Sequence, residues 1–324
     1  MPNEQRLDQL KREALSHGVV RGRGVDIAGG PIPHKPGYYG ESVVRPPVWT
    51  WEIPVYFSVG GLGGMSAVIA AGAEAVDYVD LGRTAMLVAL VAAILSPILL
   101  ILDLGRPSRF INMLRVFKPR SPMSLGVWIL VAFGLCVFPC WLGLELSARE
   151  VFTGTTAIAV HKISGILLIP SAILGVLLAT YTGVLVGATV IPAWFLHRTL
   201  LPAHFGIASL GSSAALLELL GYHFPPLNAL GFFAAGVETL LALWLLLDRH
   251  GAADRALHRG GSGLLIQAAE VFTGPLSLLF RWLRLLPLAG ILFLLGALVS
   301  RFAWMWAGRV SGRDPEAVFA SQRN

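Results

Sequence analysis

The sequence predicts an all-α integral membrane protein of about eight transmembrane helices, arranged as two four-helix bundles. Of its 324 residues, 55% are hydrophobic and only 14% charged, against roughly 25% charged in an ordinary soluble domain. The mean hydropathy is +0.68. The apolar residues come in blocks of about 20, the length of helix that a bilayer's hydrocarbon core requires. A soluble globule is therefore excluded.

Residues 1–48 read as a polar extramembrane arm. They carry seven basic residues, Arg6, Lys11, Arg12, Arg21, Arg23, Lys35 and Arg45, and the turn-rich run GGPIPHKPGYYG. Nothing there resembles a signal peptide, and the run suits an extended segment lying on a partner's surface. A transmembrane domain follows over 49–308, and a polar tail over 309–324. Length and absence of charge place spans at 53–73, 84–102, 124–144, 200–220, 227–247 and 285–307. Residues 163–196 contain no charge, too long a run for one perpendicular helix. A fourth span is expected to end near Tyr181, Thr182 and Gly183, with a tilted or interfacial continuation to Pro192. The seventh, near 264–283, is interrupted by Gln267, Glu270, Gly274 and Pro275; an amphipathic helix lying in the interface is the alternative there.

Eight spans put both termini on one side, and basic residues choose that side. Counting Arg301 with the tail, 20 basic residues share the side of the termini and five face away, namely Arg83, Arg149, Lys162, Arg281 and Arg284. This bias predicts an inner (plasma) membrane protein with cytoplasmic termini. Glu74, Asp77 and Asp80 then face outward. The basic loop with Arg106, Arg109, Arg115, Lys118 and Arg120 also suits the docking of an acidic partner.

Ionisable groups in a membrane interior are costly, so each points to a role. At the start of the first span, WTWEIPVYF gathers Trp49, Trp51, Glu52 and Tyr56 at one interface. The tryptophans read as belt anchors. Glu52 and Tyr56, four residues apart, share a helix face, where a carboxylate beside a phenol can hydrogen-bond a quinone carbonyl and handle its proton. Gly60, Gly61, Gly63 and Gly64 cost helix propensity and serve either close helix packing or a slot for a flat ring or isoprenoid tail. Asp103 at the membrane edge has Arg106 three residues on, within reach of an ion pair that lowers the cost of the carboxylate. That pair either staples a loop or readies a proton acceptor for quinol. Glu238, in mid-span with no basic residue in its own span, reads as a protonated glutamate hydrogen-bonded across helices or as a proton-relay member, and Glu74 is a second relay candidate. Glu218 and His204 are further intramembrane polar groups, while His161 and Lys162 read as an anchored helix end.

The run DLGRPSRFINMLRVFKPRSPMSLGVW resembles the pattern of the NrfD-like family, the membrane subunits of polysulphide reductase and related molybdenum or multihaem oxidoreductases. WEIPVYFSVGGLGG is similar to that family's first span, TYTGVLVG to its fourth and LLGALVSRFAWMWAG to its last. The resemblance implies an eight-helix subunit without haem or metal that binds a quinone, menaquinone or ubiquinone. It also implies an iron–sulfur, ferredoxin-like partner, here expected to dock on the 106–120 loop and the N-terminal arm, and a catalytic subunit, often a molybdopterin enzyme. By position it implies Glu52 and Asp103 as proton-handling residues and Tyr56, Arg106 and Tyr181 as quinone-binding ones. Glu52 stands where relatives often carry His or Asn. Many relatives pair with periplasmic partners, whereas the charge count here favours a cytoplasmic one.

Two other classes compete. A proton or ion transporter would use the glycine-broken spans and buried glutamates, but the halves show no clear inverted repeat. A b-type cytochrome needs facing axial histidines; outside the polar arms only His161, His197, His204 and His223 remain, and only His161 and His223 share a side. Cys136 and Cys140 lie on one helix face and are too few for a cluster or a thiolate zinc site. Nucleic-acid binding is set aside, because the basic residues sit in loops at a membrane surface.

Overall fold

The computed structural model describes residues 44, 46–47, 49–104, 110–248, 251–252 and 254–322. The N-terminal arm falls almost wholly outside them, as does Arg106. Among the described residues, eight helices are long and apolar enough to cross a membrane: α1 Glu52–Ala75, α2 Val79–Asp103, α3 Pro122–Ala148, α4 Gly154–Gly187, α5 Leu200–Leu219, α6 Pro225–Leu247, α7 Gly260–Trp282 and α8 Leu286–Arg313. Helix is what lipid demands, since a hydrocarbon core offers backbone N–H and C=O groups no other partners. Starts are marked locally. Prolines open α3, α6 and α8, where their missing N–H costs nothing, and the Ser121 hydroxyl accepts from the Ser124 N–H at the head of α3. Alternate helices run in opposite directions. One end of the molecule thus holds the start of α1, the end of α2 and the starts of α3 and α5 (the Asp103 end), and the other holds Glu74.

Neighbours pair as α1 with α2 and α4, α2 with α3, and α3 with α4; in the second half α5 pairs with α6 and α8, and α7 with both α6 and α8. The halves meet where α1 packs on α5 and α8 and where α4 packs on α5. α1 is among the most enclosed helices, with 72% of its most apolar 18 residues buried. Its small residues explain why. A Cβ at Gly64 would stand 2.4 Å from the Gly175 carbonyl oxygen, and one at Gly175 would stand 2.1 Å from that of Gly64, so the α1 and α4 backbones touch. The glycine run thus serves packing. Backbone cannot rotate away as a side chain can, so Gly64→Val is expected to destabilise the protein by about 3 kcal/mol or more. Thermal melting in detergent measures this; a wild-type melting temperature would show that the crossing tolerates a side chain.

Three expectations need correction, while the seventh span stands as read. The fourth span does not end at Gly183: α4 is one helix of 34 residues, about 51 Å long, and must tilt or protrude from a core of about 30 Å. Gly183 is there for contact, since a Cβ on it would meet the Leu201–Pro202 backbone at 2.5 Å. A separate short helix, Pro192–Leu196, follows. The seventh span is a crossing-length helix whose breakers are absorbed by one π-helical turn, Phe272–Leu276, with Gly274 off helical geometry (φ −94°, ψ −105°). Such a turn accommodates the N–H that Pro275 lacks. Arg301, counted with the tail, and Arg281, counted on the opposite side, are 1% and 2% exposed, inside α8 and α7. One leaves each side of the charge count, so the bias stands. The boundary at 308 falls inside α8, which runs on to Arg313.

Candidate functional site

At the Asp103 end four helices and a connecting segment surround a cleft of about 90 Å³. Ile53, Tyr56 and Phe57 of α1 form one wall. Leu100 and Asp103 come from α2, Val127 from α3 and Tyr181 from α4. Phe110 and Met113, from the short helix Phe110–Met113 after α2, also line it, as does Trp49. The walls are apolar; the polar atoms are two phenols and a carboxylate.

Tyr56 and Tyr181 belong to separate spans in the sequence, and the structure brings them together. Their hydroxyls are 2.5 Å apart, with Tyr56 only 1% exposed. Tyr181 reaches this position because α3 has no side chain at Gly126, where a Cβ would lie 2.0 Å from the Tyr181 ring. Only one of the two O–H groups can donate to the other. The second remains available to an oxygen placed in the cleft.

Asp103 lines the cleft as well; Glu52 does not. They are nevertheless joined, because the Thr50 hydroxyl contacts the Glu52 carboxylate and lies 3.0 Å from Asp103 Oδ1. One hydroxyl hydrogen serves one carboxylate at a time, and the other carboxyl closes the bridge when it carries a proton. Sequence reasoning does not single out Thr50, though its place between Trp49 and Glu52 is a signal. Trp49 stacks on Trp194 with centroids 5.6 Å apart, and its carbonyl accepts from Arg309, whereas Trp51 is 57% exposed.

Glu74 is not part of this site, since it closes α1 at the opposite end. Glu238 is buried in the second half, with Oε2 2.9 Å from His204 Nδ1. Glu218 meets Arg281 through two hydrogen bonds of 2.8 Å, and Asn228 accepts a third at 2.9 Å. Buried charges are tolerated when paired and hydrogen-bonded in this way.

Fold and cleft together define a class: a multi-pass helical membrane protein with an apolar site at one end, furnished with phenols and a carboxylate. The family model described as polysulphide reductase, NrfD, matches residues 41–224, which include every residue lining the cleft. The protein belongs to the NrfD family. It is similar to the C subunit of polysulfide reductase from Wolinella succinogenes, with 29% identity over 257 residues, 73% of this sequence and 78% of that protein.

Proposed function

We propose that this protein is the quinone-reactive membrane subunit of a multi-subunit oxidoreductase. It exchanges electrons between the quinone pool, menaquinone or ubiquinone, and an iron–sulfur, ferredoxin-like partner that serves a catalytic subunit. The observation that carries this reading is the cleft itself, where the Tyr56–Tyr181 pair and Asp103 share an otherwise apolar enclosure. Oxidation of a quinol releases two electrons and two protons. The Asp103 carboxylate accepts one hydroxyl proton and passes it through Thr50 to Glu52 at the rim, and the second proton leaves by the same route once Asp103 is ionised again. The free phenolic O–H of the tyrosine pair donates to the carbonyl oxygen that results, and Arg106, three residues beyond Asp103, is the proposed counter-charge. The electrons leave for the partner.

The partner is proposed to dock at the Asp103 end. The connection between α2 and α3 supports this, because Arg115, Lys118 and Arg120 are exposed there together with Val116 and Phe117, at 53% and 57%. Basic residues beside apolar ones suit a protein interface better than free solvent. The N-terminal arm is the second docking segment, and the excess of basic residues supports a location in the inner membrane with both termini in the cytoplasm.

The reading is tested in the intact complex. Purification should yield bound quinone and an iron–sulfur subunit. Asp103→Asn keeps the shape and removes the base, so quinol oxidation should fall by about 100-fold. An unaltered rate would remove Asp103 from the site, and a complex lacking both quinone and an iron–sulfur protein would end the proposal.

A further inference from the structure

The second half of the molecule holds ionisable side chains that the cleft does not use. In α5, His204 is 5% exposed; in α6 and α8, Glu238 and Arg301 are 1% exposed. His204 bridges two helices, with Nδ1 2.9 Å from Glu238 Oε2 and Nε2 2.8 Å from Ser300 Oγ. Arg301 donates to the Phe205 carbonyl at 2.8 Å and lies 3.8 Å over the Phe205 ring. Glu270 of α7 is half-buried, and α7 packs against both α6 and α8, the helices that carry Glu238 and Arg301. α1 faces Arg301 across a groove with Ser58, Val59 and Leu62, none of which titrates.

Charge balance in this apolar setting sets the proton count. Arg301 offsets one carboxylate, and there are two. A net charge is disfavoured at membrane depth, so the neutral cluster carries one further proton, on Glu238, Glu270 or His204. Moving it among the three changes no total charge. Three polar groups also point away from any partner among the described residues, namely Glu238 Oε1 and the Nε and Nη1 of Arg301. Buried groups of this kind are ordinarily served by water, which conducts protons.

We propose that His204, Glu238, Glu270 and Arg301 form a proton-binding site, separate from the cleft, that holds one exchangeable proton and fills from the Asp103 end. The path is marked by His197, whose Nε2 is 3.8 Å from Asp254 Oδ1. Asp254 borders a cavity among the polar residues Arg255, His258 and Arg259, beyond the end of α6. The Trp304 ring touches both imidazoles, with centroids 5.7 Å from His197 and 6.3 Å from His204. The site also adjoins the cleft, because the Phe205 ring beneath Arg301 packs on Phe57, a cleft wall, at 6.2 Å.

The test is infrared titration of the full-length protein in lipid nanodiscs, in H₂O and D₂O, counting carboxylic-acid and imidazolium signals. Wild type should show one such proton in this cluster. Glu238→Gln and Glu270→Gln should each abolish it, since Arg301 then balances the remaining carboxylate. Arg301→Met should raise the count to two. Because Arg301→Met risks misfolding, the pair Glu270→Gln with Arg301→Met, which removes one charge of each sign, should restore the count to one. Identical signals in wild type and both glutamine variants would overturn the site. His197→Phe should slow D₂O exchange of this proton by about 100-fold; unchanged exchange would overturn the entry path. Quinone retained by the same preparations reports the cleft independently, so failure of one reading is distinguishable from failure of the other.

Discussion

A complex carrying Tyr56→Phe is expected to oxidise quinol about 100-fold more slowly than wild type, the scale of a lost proton-handling group. Tyr56 and Tyr181 are hydrogen-bonded at 2.5 Å, so deleting either hydroxyl breaks the pair. Tyr181→Phe should therefore cost a similar factor, and the double variant should cost far less than the product of the two, as residues in one hydrogen-bonded unit do. The apolar walls, Ile53, Phe57, Leu100 and Val127 among them, remain in place, so the loss should appear mainly in kcat and less in KM. Steady-state quinol kinetics on the intact complex decide it. Wild-type kcat in Tyr56→Phe would show that the pair is structural.

Arg281→Met should destabilise the protein by about 3–5 kcal/mol, the usual result of leaving one half of a buried ion pair without its partner. Both side chains are essentially inaccessible, at 0% and 1%, so Glu218 would keep its charge or take up a proton without compensation. Replacing both, with Glu218→Met added, should recover most of the loss, because apolar groups of similar volume then fill the space. Equilibrium unfolding in detergent measures both. The pair lies at the end of α7 and near the end of α5, at the opposite end from the cleft, so the folded fraction of Arg281→Met should retain bound quinone. A single variant as stable as wild type, or a double variant no better than the single, would refute the account.

Much of the cleft is legible in the sequence because its residues announce themselves locally. Tyr56, Asp103 and Tyr181 are polar groups at the rims of apolar blocks, where each is costly without a use. Thr50 and Trp49 are harder to read, since a threonine and a tryptophan at a membrane edge have ordinary reasons to be there. Their roles depend on a carboxylate 53 residues away and an indole on another segment. Arg301 and Arg281 pass for charges at the membrane surface because a sequence shows a charge near the end of an apolar run but not which way the helix turns it. Their partners lie 96 and 63 residues away. Glu238 stands out as costly, whereas its partner, His204, shows in the sequence only as a separate polar group.

The number of helices, their places and the rims where polar chemistry gathers were determined by the sequence alone, because a hydrocarbon solvent makes each segment satisfy its own backbone and penalises each charge where it stands. Only the tertiary structure decided which charges meet, that α1 is among the most enclosed helices, that α4 continues past Gly183 and that α7 crosses by a π-turn. Those outcomes rest on contacts between helices distant in sequence, where fit between facing surfaces rather than the content of any one segment sets the energy.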